Sequence, residues 1–337
     1  MVGIRTLTLT APELRELARS TFAVEALSDP DGVLALVERD GGADDEDLAE
    51  RLVSVPCVII ATGESGPEFP AWADAVVEAT VDDAVVSLDA LVEAITQHPV
   101  AATSLVLCLR EQSPSLERGL VAESAAFSLL QSGREFAAWR EVGRSRGGLE
   151  EAGPAVLMER NEQSLEIILN RPGSRNALNR AMRDGWLEAL TVAEADPSVT
   201  EVVVRGAGTN FCSGGDLFEF GTFSDPASAH LIRLIASVGR SMMRIGPRLR
   251  VEVHGHCAGS GVELAAFSPL VVARPDFTAC LPEVSMGLIP GAGGTVSITR
   301  RIGRHRMALL GLSGSRIDAA TALRWGLVDR VTDQPSS

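Results

Sequence analysis

Two glutamates in the second half of the chain are the strongest candidates for chemistry. Glu263 stands in a small, apolar stretch, and Glu283 follows Leu281–Pro282 at the predicted end of a strand. A carboxylate among apolar residues is costly to bury unless it is paired or functional. Like charges held close raise one pKa, so such a pair supplies one acid and one base around a single water. The alternative is that each is a structural carboxylate that binds a neighbouring amide.

Three glycine-rich segments surround these acids, at residues 205–220, 253–265 and 281–295. Glycine-rich turns leave backbone N–H groups free to face a developing oxyanion, and a helix that begins near Ser260 adds its positive end. None of the three has the G-x-G-x-x-G spacing after a strand or the lysine of a P-loop. Taken singly, each segment is equally consistent with a tight turn.

Other reactive side chains in these loops fit chemistry less well. His254 and His256 are two residues apart on a predicted strand and share a face, but no third ligand accompanies them, so we expect hydrogen bonds rather than a metal. Cys212 and Cys257 have no histidine placed to activate them. The serines of the loops lie outside a G-x-S-x-G pattern. The sequence therefore predicts no metal and no nucleophilic side chain.

Composition and charge exclude several classes of protein. The 337 residues include no Tyr and no Lys, which excludes Schiff-base, pyridoxal-phosphate and Walker-A lysine chemistry. Residues 1–154 hold 11 Arg against 27 acids, whereas residues 155–337 hold 19 Arg against 18, so the second half can accept an anionic ligand. The sequence has no basic stripe of the kind that predicts nucleic-acid binding, and no apolar run long enough to predict a membrane span. Five scattered cysteines are typical of reduced, cytoplasmic proteins.

Strands and helices alternate after a glycine-rich linker, Gly143–Gly153, which predicts an α/β fold with ligands at the strand ends. The predicted strands are Gly32–Glu38, Val55–Thr62, Leu165–Leu169, Glu201–Arg205, Arg250–Val253, Leu270–Ala273 and Phe277–Leu281. The predicted helices are Ser87–Gln97, Ser115–Trp139, Asn179–Ala195, Pro226–Arg244 and Gly261–Phe267.

Five motifs in series resemble the crotonase superfamily, the enoyl-CoA hydratases and isomerases. They are Arg171–Leu178 (RPGSRNAL), Phe211–Asp216 (FCSGGD), His254–Leu264 (HGHCAGSGVEL), Pro282–Thr295 (PEVSMGLIPGAGGT) and Ala320–Val331 (ATALRWGLVDRV). Their order and spacing agree with the family over about residues 155–331. The resemblance implies an α/β, crotonase-like (ββα)-superhelix core.

The resemblance also implies a function and the residues that perform it. It implies an enoyl-CoA hydratase that adds water across the α,β double bond of an acyl-CoA thioester, with coenzyme A as part of the substrate and no further cofactor. A double-bond isomerase and a non-catalytic acyl-CoA-binding or assembly protein stay open as alternatives. The implied residues are the glutamates Glu263 and Glu283, the oxyanion-hole amides of Gly215 and Ser260, the water-positioning Gly291, and the coenzyme A contacts Arg175, Asn176, Ala177, Leu178, Ser213, Gly214 and Asp216.

Segment order departs from the family, whose members continue past the core into a helical region that this chain lacks there. We predict a degenerate α/β remnant at 1–75, a helical module at 76–142 that resembles that region, a linker at 143–154 and the core at 155–337. The module would pack on its own core or a neighbour's, and the family implies a homotrimer or hexamer. The predicted acyl-pocket wall is apolar and indicates a hydrophobic acyl group; it comprises Phe218, Phe220, Phe223, Leu231 and Ile232.

Overall fold

The structure is a computed structural model that describes residues 4–39, 46–63, 69–78, 85–111, 115–142, 153–222 and 225–333. Most of the predicted linker, and Phe223 of the predicted acyl wall, lie outside these ranges.

A four-stranded parallel sheet with the order β1-β2-β3-β4 opens the described chain. Two of its strands were predicted, whereas β1 is a largely exposed edge strand whose alternating Thr and Leu residues bury little surface. A capping box between Thr10 and Glu13 starts the helix that follows it. The elements are β1 (Arg5–Thr10), α1 (Ala11–Arg19), α2 (Ala23–Ala26), β2 (Val33–Glu38), α3 (Glu46–Leu52), β3 (Val58–Gly63) and β4 (Ala75–Glu78).

Four helices follow this sheet. Serine side chains cap two of them, Ser87 before α4 and Ser115 before α6, as expected for residues that accept from free amides of the first turn. The predicted helix Ser115–Trp139 is in fact two helices, because the chain turns at Ser132 and Gly133. The elements are α4 (Leu88–Gln97), α5 (Pro99–Arg110), α6 (Leu116–Gln131) and α7 (Arg134–Glu141).

The rest of the chain forms a six-stranded sheet, ordered β13-β10-β8-β7-β6-β5, and a three-stranded sheet, ordered β12-β11-β9. The six-stranded sheet is parallel except for β5, which pairs antiparallel with β6. The elements are β5 (Val156–Asn161), β6 (Ser164–Leu169), α8 (Arg180–Ala195), β7 (Glu201–Gly206), α9 (Pro226–Ile235), α10 (Val238–Ile245), β8 (Leu249–Val253), β9 (His256–Ala258), α11 (Ser260–Ala265), β10 (Leu270–Ala273), β11 (Thr278–Cys280), α12 (Gly294–Ile302), α13 (Arg304–Ser313), β12 (Ile317–Asp318), α14 (Ala319–Trp325) and β13 (Arg330–Val331).

The helices α4–α7 pack between the two larger parts of the chain. On β3, Val58 and Ile60 face the core shared with these helices, while Ile59 faces a separate core with α1 and α3. On the other side, α13 packs against α4 and α5, and α6 packs against α9 and α12. A buried ion pair between Arg110 and Asp74 (2.6 Å) fastens α5 to the first sheet. One apolar core therefore joins α4–α7 to the second half.

Two further local predictions were wrong. The predicted helix Pro226–Arg244 is divided into α9 and α10, because the backbone leaves the helical region at Ala236 and Ser237 caps a new helix. His254 and His256 do not share a strand, since Gly255 between them has φ +59° and separates β8 from β9. Among the described helices, none alone is long and apolar enough to cross a membrane; only α4 and α5 taken together pass by length and composition, and they meet at a bend of 106°.

Candidate active site

Glu263 is a buried carboxylate held by the turn that begins α12. It lies in the short helix α11, with 2% of its surface exposed. Its Oε2 atom accepts hydrogen bonds from the backbone N–H groups of Ala292 (2.7 Å) and Gly294 (2.9 Å). The Ser297 hydroxyl donates to its backbone carbonyl (2.7 Å). The carboxylate is therefore fixed through one oxygen.

Glu283 faces the same space from the loop after β11. It is 7% exposed, and its Oε2 atom has no hydrogen-bond partner among the described residues. Gly259, which has φ +46°, makes room for the other oxygen: a Cβ there would overlap Oε1 of Glu283. A buried carboxylate oxygen with no protein partner is available to a ligand or water.

Both glutamates hold protons more tightly than usual. Burial raises the pKa of Glu283 to about 7. Burial also raises the pKa of Glu263 well above its ordinary value, and the nearby charges of Glu283 and Glu123 add to this effect. Groups so coupled titrate as a set, which leaves acidic and basic forms available near neutral pH.

The backbone N–H groups of Gly215 and Ser260, on the wall of the same space, donate no hydrogen bond to any described residue. Gly215 pairs in parallel with Leu178. Leu178 N donates to Gly214 O (2.8 Å) and Asp216 N donates to Leu178 O (3.0 Å), so the N–H of Gly215 between them is not used in the pairing. Ser260 is the first residue of α11, where an N–H has no partner within the helix. Free amides of this kind can stabilise an oxyanion.

One cavity of about 650 Å³ brings these groups together. Helix α6 closes part of it: a Cβ on Gly291 would lie 2.5 Å from Cδ2 of Phe127. Its lining residues are Phe127, Gln131, Leu178, Asn179, Arg180, Arg183, Gly215, Asp216, Glu219, Phe220, Gly221, Thr222, Ala229, Ile232, Arg233, Ser260, Glu263, Glu283, Gly291 and Ala292.

The residues predicted to contact coenzyme A fall into two groups. Leu178 and Asp216 line the cavity, and Asp216 forms an ion pair with Arg171 (3.1 Å). The others lie in the adjoining loops rather than on its wall: Arg175, Asn176, Ala177, Ser213 and Gly214.

Asn176 has a structural side chain. It is completely buried, its Oδ1 accepts from Arg171 N (2.8 Å), and its Nδ2 donates to the carbonyl oxygens of Ala207 and Asn210 (both 2.8 Å). These bonds hold the residue at φ +54°. Only its backbone is therefore left to contact a ligand.

Only some of the residues predicted to form an apolar acyl wall line the cavity. Phe220 and Ile232 line the cavity, but Phe218 and Leu231 are not on its wall and are 43% and 58% exposed. The wall instead includes Arg233, one residue after Ile232.

Sequence reasoning missed a third buried carboxylate, Glu123 of α6. Its Oε1 accepts from Gly293 N (2.6 Å), and its Oε2 accepts from Thr295 N (2.8 Å) and from the Thr295 hydroxyl (2.6 Å). Glu123 and Glu263 thus bind alternate amides of one turn. Burial raises the pKa of Glu123 to about 7. The signal was a lone acid inside an apolar helical stretch, as for Glu263.

The remaining candidates make structural contacts. His254 Nε2 lies 3.1 Å from Gly208 O, and His256 Nδ1 lies 3.1 Å from the Thr278 hydroxyl. Burial raises the pKa of the Cys212 thiol to about 11, which keeps it protonated at neutral pH. Within the described ranges, no group of three or more His, Cys, Asp or Glu side chains is arranged to hold a metal ion.

Sequence comparison places this geometry in a family. Residues 159–336 match the family model described as enoyl-CoA hydratase/isomerase. The chain is 34% identical over 178 residues to the probable enoyl-CoA hydratase echA8 of Mycobacterium bovis, covering 52% of this chain and 68% of that protein. It is 33% identical over 176 residues to the 2,3-dehydroadipyl-CoA hydratase of Escherichia coli, with the same coverage of each.

Solved structures agree. An enoyl-CoA hydratase from Thermoplasma volcanium is 33% identical with a TM-score of 0.50, covering 55% of this chain and 75% of that one. An enoyl-CoA hydratase/isomerase from Mycobacterium abscessus is 34% identical with a TM-score of 0.50, covering 53% and 71%. The second half of the chain therefore has the crotonase fold. The chain belongs to the enoyl-CoA hydratase/isomerase family, and the predicted fold class and resemblance are confirmed.

Proposed function

We propose that this chain adds water across the α,β double bond of an acyl-CoA thioester. The observation that supports the proposal most strongly is that Glu263 and Glu283 share one cavity with the free amides of Gly215 and Ser260. Relatives named as hydratases support the reaction class.

The reaction needs both kinds of group. One glutamate accepts a proton from water while the water oxygen bonds to C3 of the substrate. The electron pair of the double bond moves through C2 to the thioester oxygen, and the amides of Gly215 and Ser260 stabilise the resulting enolate. The other glutamate then gives a proton to C2. The raised pKa values suit this exchange, because protonated and ionised carboxyl groups coexist near neutral pH.

The loops around the cavity place the water and bind coenzyme A. Gly291, whose amide donates to no described residue, positions the water. Coenzyme A is part of the substrate, and no further cofactor is needed. The residues proposed to bind it are Arg175, Asn176 through its backbone, Ala177, Leu178, Ser213, Gly214 and Asp216.

We also propose that residues 76–142 correspond to the helical region that follows the core in the family. Support comes from Phe127 and Gln131 of α6, which line the cavity of the same chain. Residues 1–75 would then be a remnant of a second core, joined through the linker 143–154 to the catalytic core 155–337. Assembly as a homotrimer or hexamer and a cytoplasmic location stay predictions from the sequence.

Hydration of a panel of trans-2-enoyl-CoA thioesters tests the function. The reaction is measured by the loss of absorbance of the conjugated thioester. We expect turnover by the unaltered protein and a fall of about 100-fold or more in kcat for both Glu263→Gln and Glu283→Gln. Glu194→Gln, in an exposed ion pair with Arg244, is the matched control.

Two other outcomes would contradict this assignment. Double-bond migration that survives in one of the two variants would indicate an isomerase with a single proton shuttle. Tight binding of thioesters with no turnover on any chain length would indicate a non-catalytic acyl-CoA-binding protein.

A further inference from the structure

Arg233 of α9 is a cation in the wall of the candidate active site. It lines both the main cavity and a smaller adjoining one of about 130 Å³. Its guanidinium lies 4.7 Å from the centre of the Phe127 ring, in a cation–π contact. Burial lowers the pKa of Arg233 to about 10, so it stays charged while it is partly removed from water. Keeping a charge there costs free energy unless an anion accompanies it.

No carboxylate among the described residues lies within ion-pair distance of Arg233. Its hydrogen bonds go to neutral acceptors: the hydroxyl (3.2 Å) and carbonyl (3.3 Å) of Ser124, the Ser128 hydroxyl, and Gln131 Oε1 (3.5 Å). The charge of Glu123 affects Arg233 only at longer range, because both carboxylate oxygens of Glu123 accept hydrogen bonds at the start of α12. The Nη1 group makes only the long contact with Gln131. It therefore keeps donor capacity for a ligand.

The other two arginines on the described cavity wall differ from Arg233. Arg180 and Arg183 both contact Asp184, at 3.6 and 2.7 Å. Each already has an acidic partner in the protein. Arg233 is thus the wall cation best able to gain an anionic partner from the substrate, and its planar guanidinium suits a carboxylate.

We propose that Arg233 binds a carboxylate at the far end of the acyl chain, so that the preferred substrates are thioesters of dicarboxylic acids. This assignment rests on the proposed function, because it takes the cavity as the acyl site. It replaces the purely hydrophobic acyl group that the sequence indicated. Phe127 and Ile232 pack along the aliphatic part of the chain, and Arg233 selects its charged end.

Matched pairs of 2-enoyl-CoA thioesters of equal carbon number, ending in a methyl group or a carboxylate, test the proposal. We expect the unaltered protein to favour the carboxylate by about 10- to 100-fold in kcat/KM at the best-fitting length, the range for a charged hydrogen bond. Arg233→Met should abolish this preference, because kcat/KM should fall more for the carboxylate-ended substrate than for the methyl-ended one. Arg233→Lys should retain part of it, and Arg244→Met, in an exposed ion pair, is the control.

A binding measurement separates this proposal from the proposed function. Calorimetric titration with the saturated members of each pair reports the preference without turnover, so a protein that fails to hydrate can still show it. Equal or better use and binding of methyl-ended chains by the unaltered protein would overturn the proposal. So would an equal loss for both chain types in Arg233→Met, with an altered melting temperature, since that would mean Arg233 only joins α9 to α6.

Discussion

Replacing Gly259 by alanine displaces the Glu283 carboxylate without removing any titratable side chain. The new methyl group would overlap Oε1 of Glu283, whereas ordinary contact begins at 3.4 Å. The carboxylate must therefore move by about 1 Å, and a misplacement of that size costs about 100-fold in rate. The backbone at Gly259 (φ +46°, ψ −123°) is also unfavourable for alanine, at about 1–3 kcal/mol.

Gly246 provides a closely matched control. Its backbone is similar (φ +63°, ψ −135°), and a Cβ there would meet nothing within 4 Å. Gly246→Ala should therefore lose a similar free energy of unfolding with unchanged kcat. Urea unfolding and thioester hydration, measured on both variants, separate backbone strain from carboxylate displacement. Equal activity of Gly259→Ala and Gly246→Ala would mean that the position of the Glu283 carboxylate does not matter for turnover, contrary to the expectation.

Three further predictions concern buried charges. Arg110→Met leaves Asp74 buried without its cation and should lower the free energy of unfolding by about 3–5 kcal/mol in urea titration. Glu123→Ala leaves three donors of the α12 turn unbonded and should lower the free energy of unfolding by about 3 kcal/mol or more. Its control is Glu117→Ala, on the exposed side of α6, which should lower it by about 1 kcal/mol or less by the same method. Because burial raises the pKa of Glu283 from 4.5 to about 7, the folded state binds more protons between these values. The free energy of unfolding should therefore fall as pH rises through that window, with about 3 kcal/mol of the fall from Glu283, and Glu283→Gln should make the dependence less steep.

Much of the fold could be predicted because local patterns coincide with burial. The strand Glu201–Gly206 is an apolar run, EVVVR followed by glycine, and it is buried on both faces. In two places a pair of helices was predicted as one helix, because the apolar periodicity continues across Ser132 and across Ala236 although the helical backbone does not. Edge strand β1 was missed although its Thr and Leu residues alternate as in a strand, with only the leucines partly buried.

The candidate site could be predicted where a charged residue stands among apolar residues in the sequence. Glu263 is an acid in an apolar stretch, and the same contrast marks Glu123 in α6. Sequence alone could not connect them, because Glu123 and its partner Gly293 are 170 residues apart in the chain. Nor could it show that Arg233 faces the cavity while Leu231 faces outward, since that depends on how α9 rotates against α6.

Isotopic labelling of the product shows whether this chain adds water to an enoyl-CoA thioester. Incubation with a trans-2-enoyl-CoA thioester in water enriched in oxygen-18 and deuterium is followed by mass spectrometry and proton NMR of the product. We expect one oxygen-18 at C3 and one deuteron at C2, with both labels entering at least about 100-fold more slowly in Glu263→Gln. Deuterium without oxygen-18 would contradict hydration and indicate isomerisation, and an unlabelled, unchanged thioester would contradict catalysis altogether.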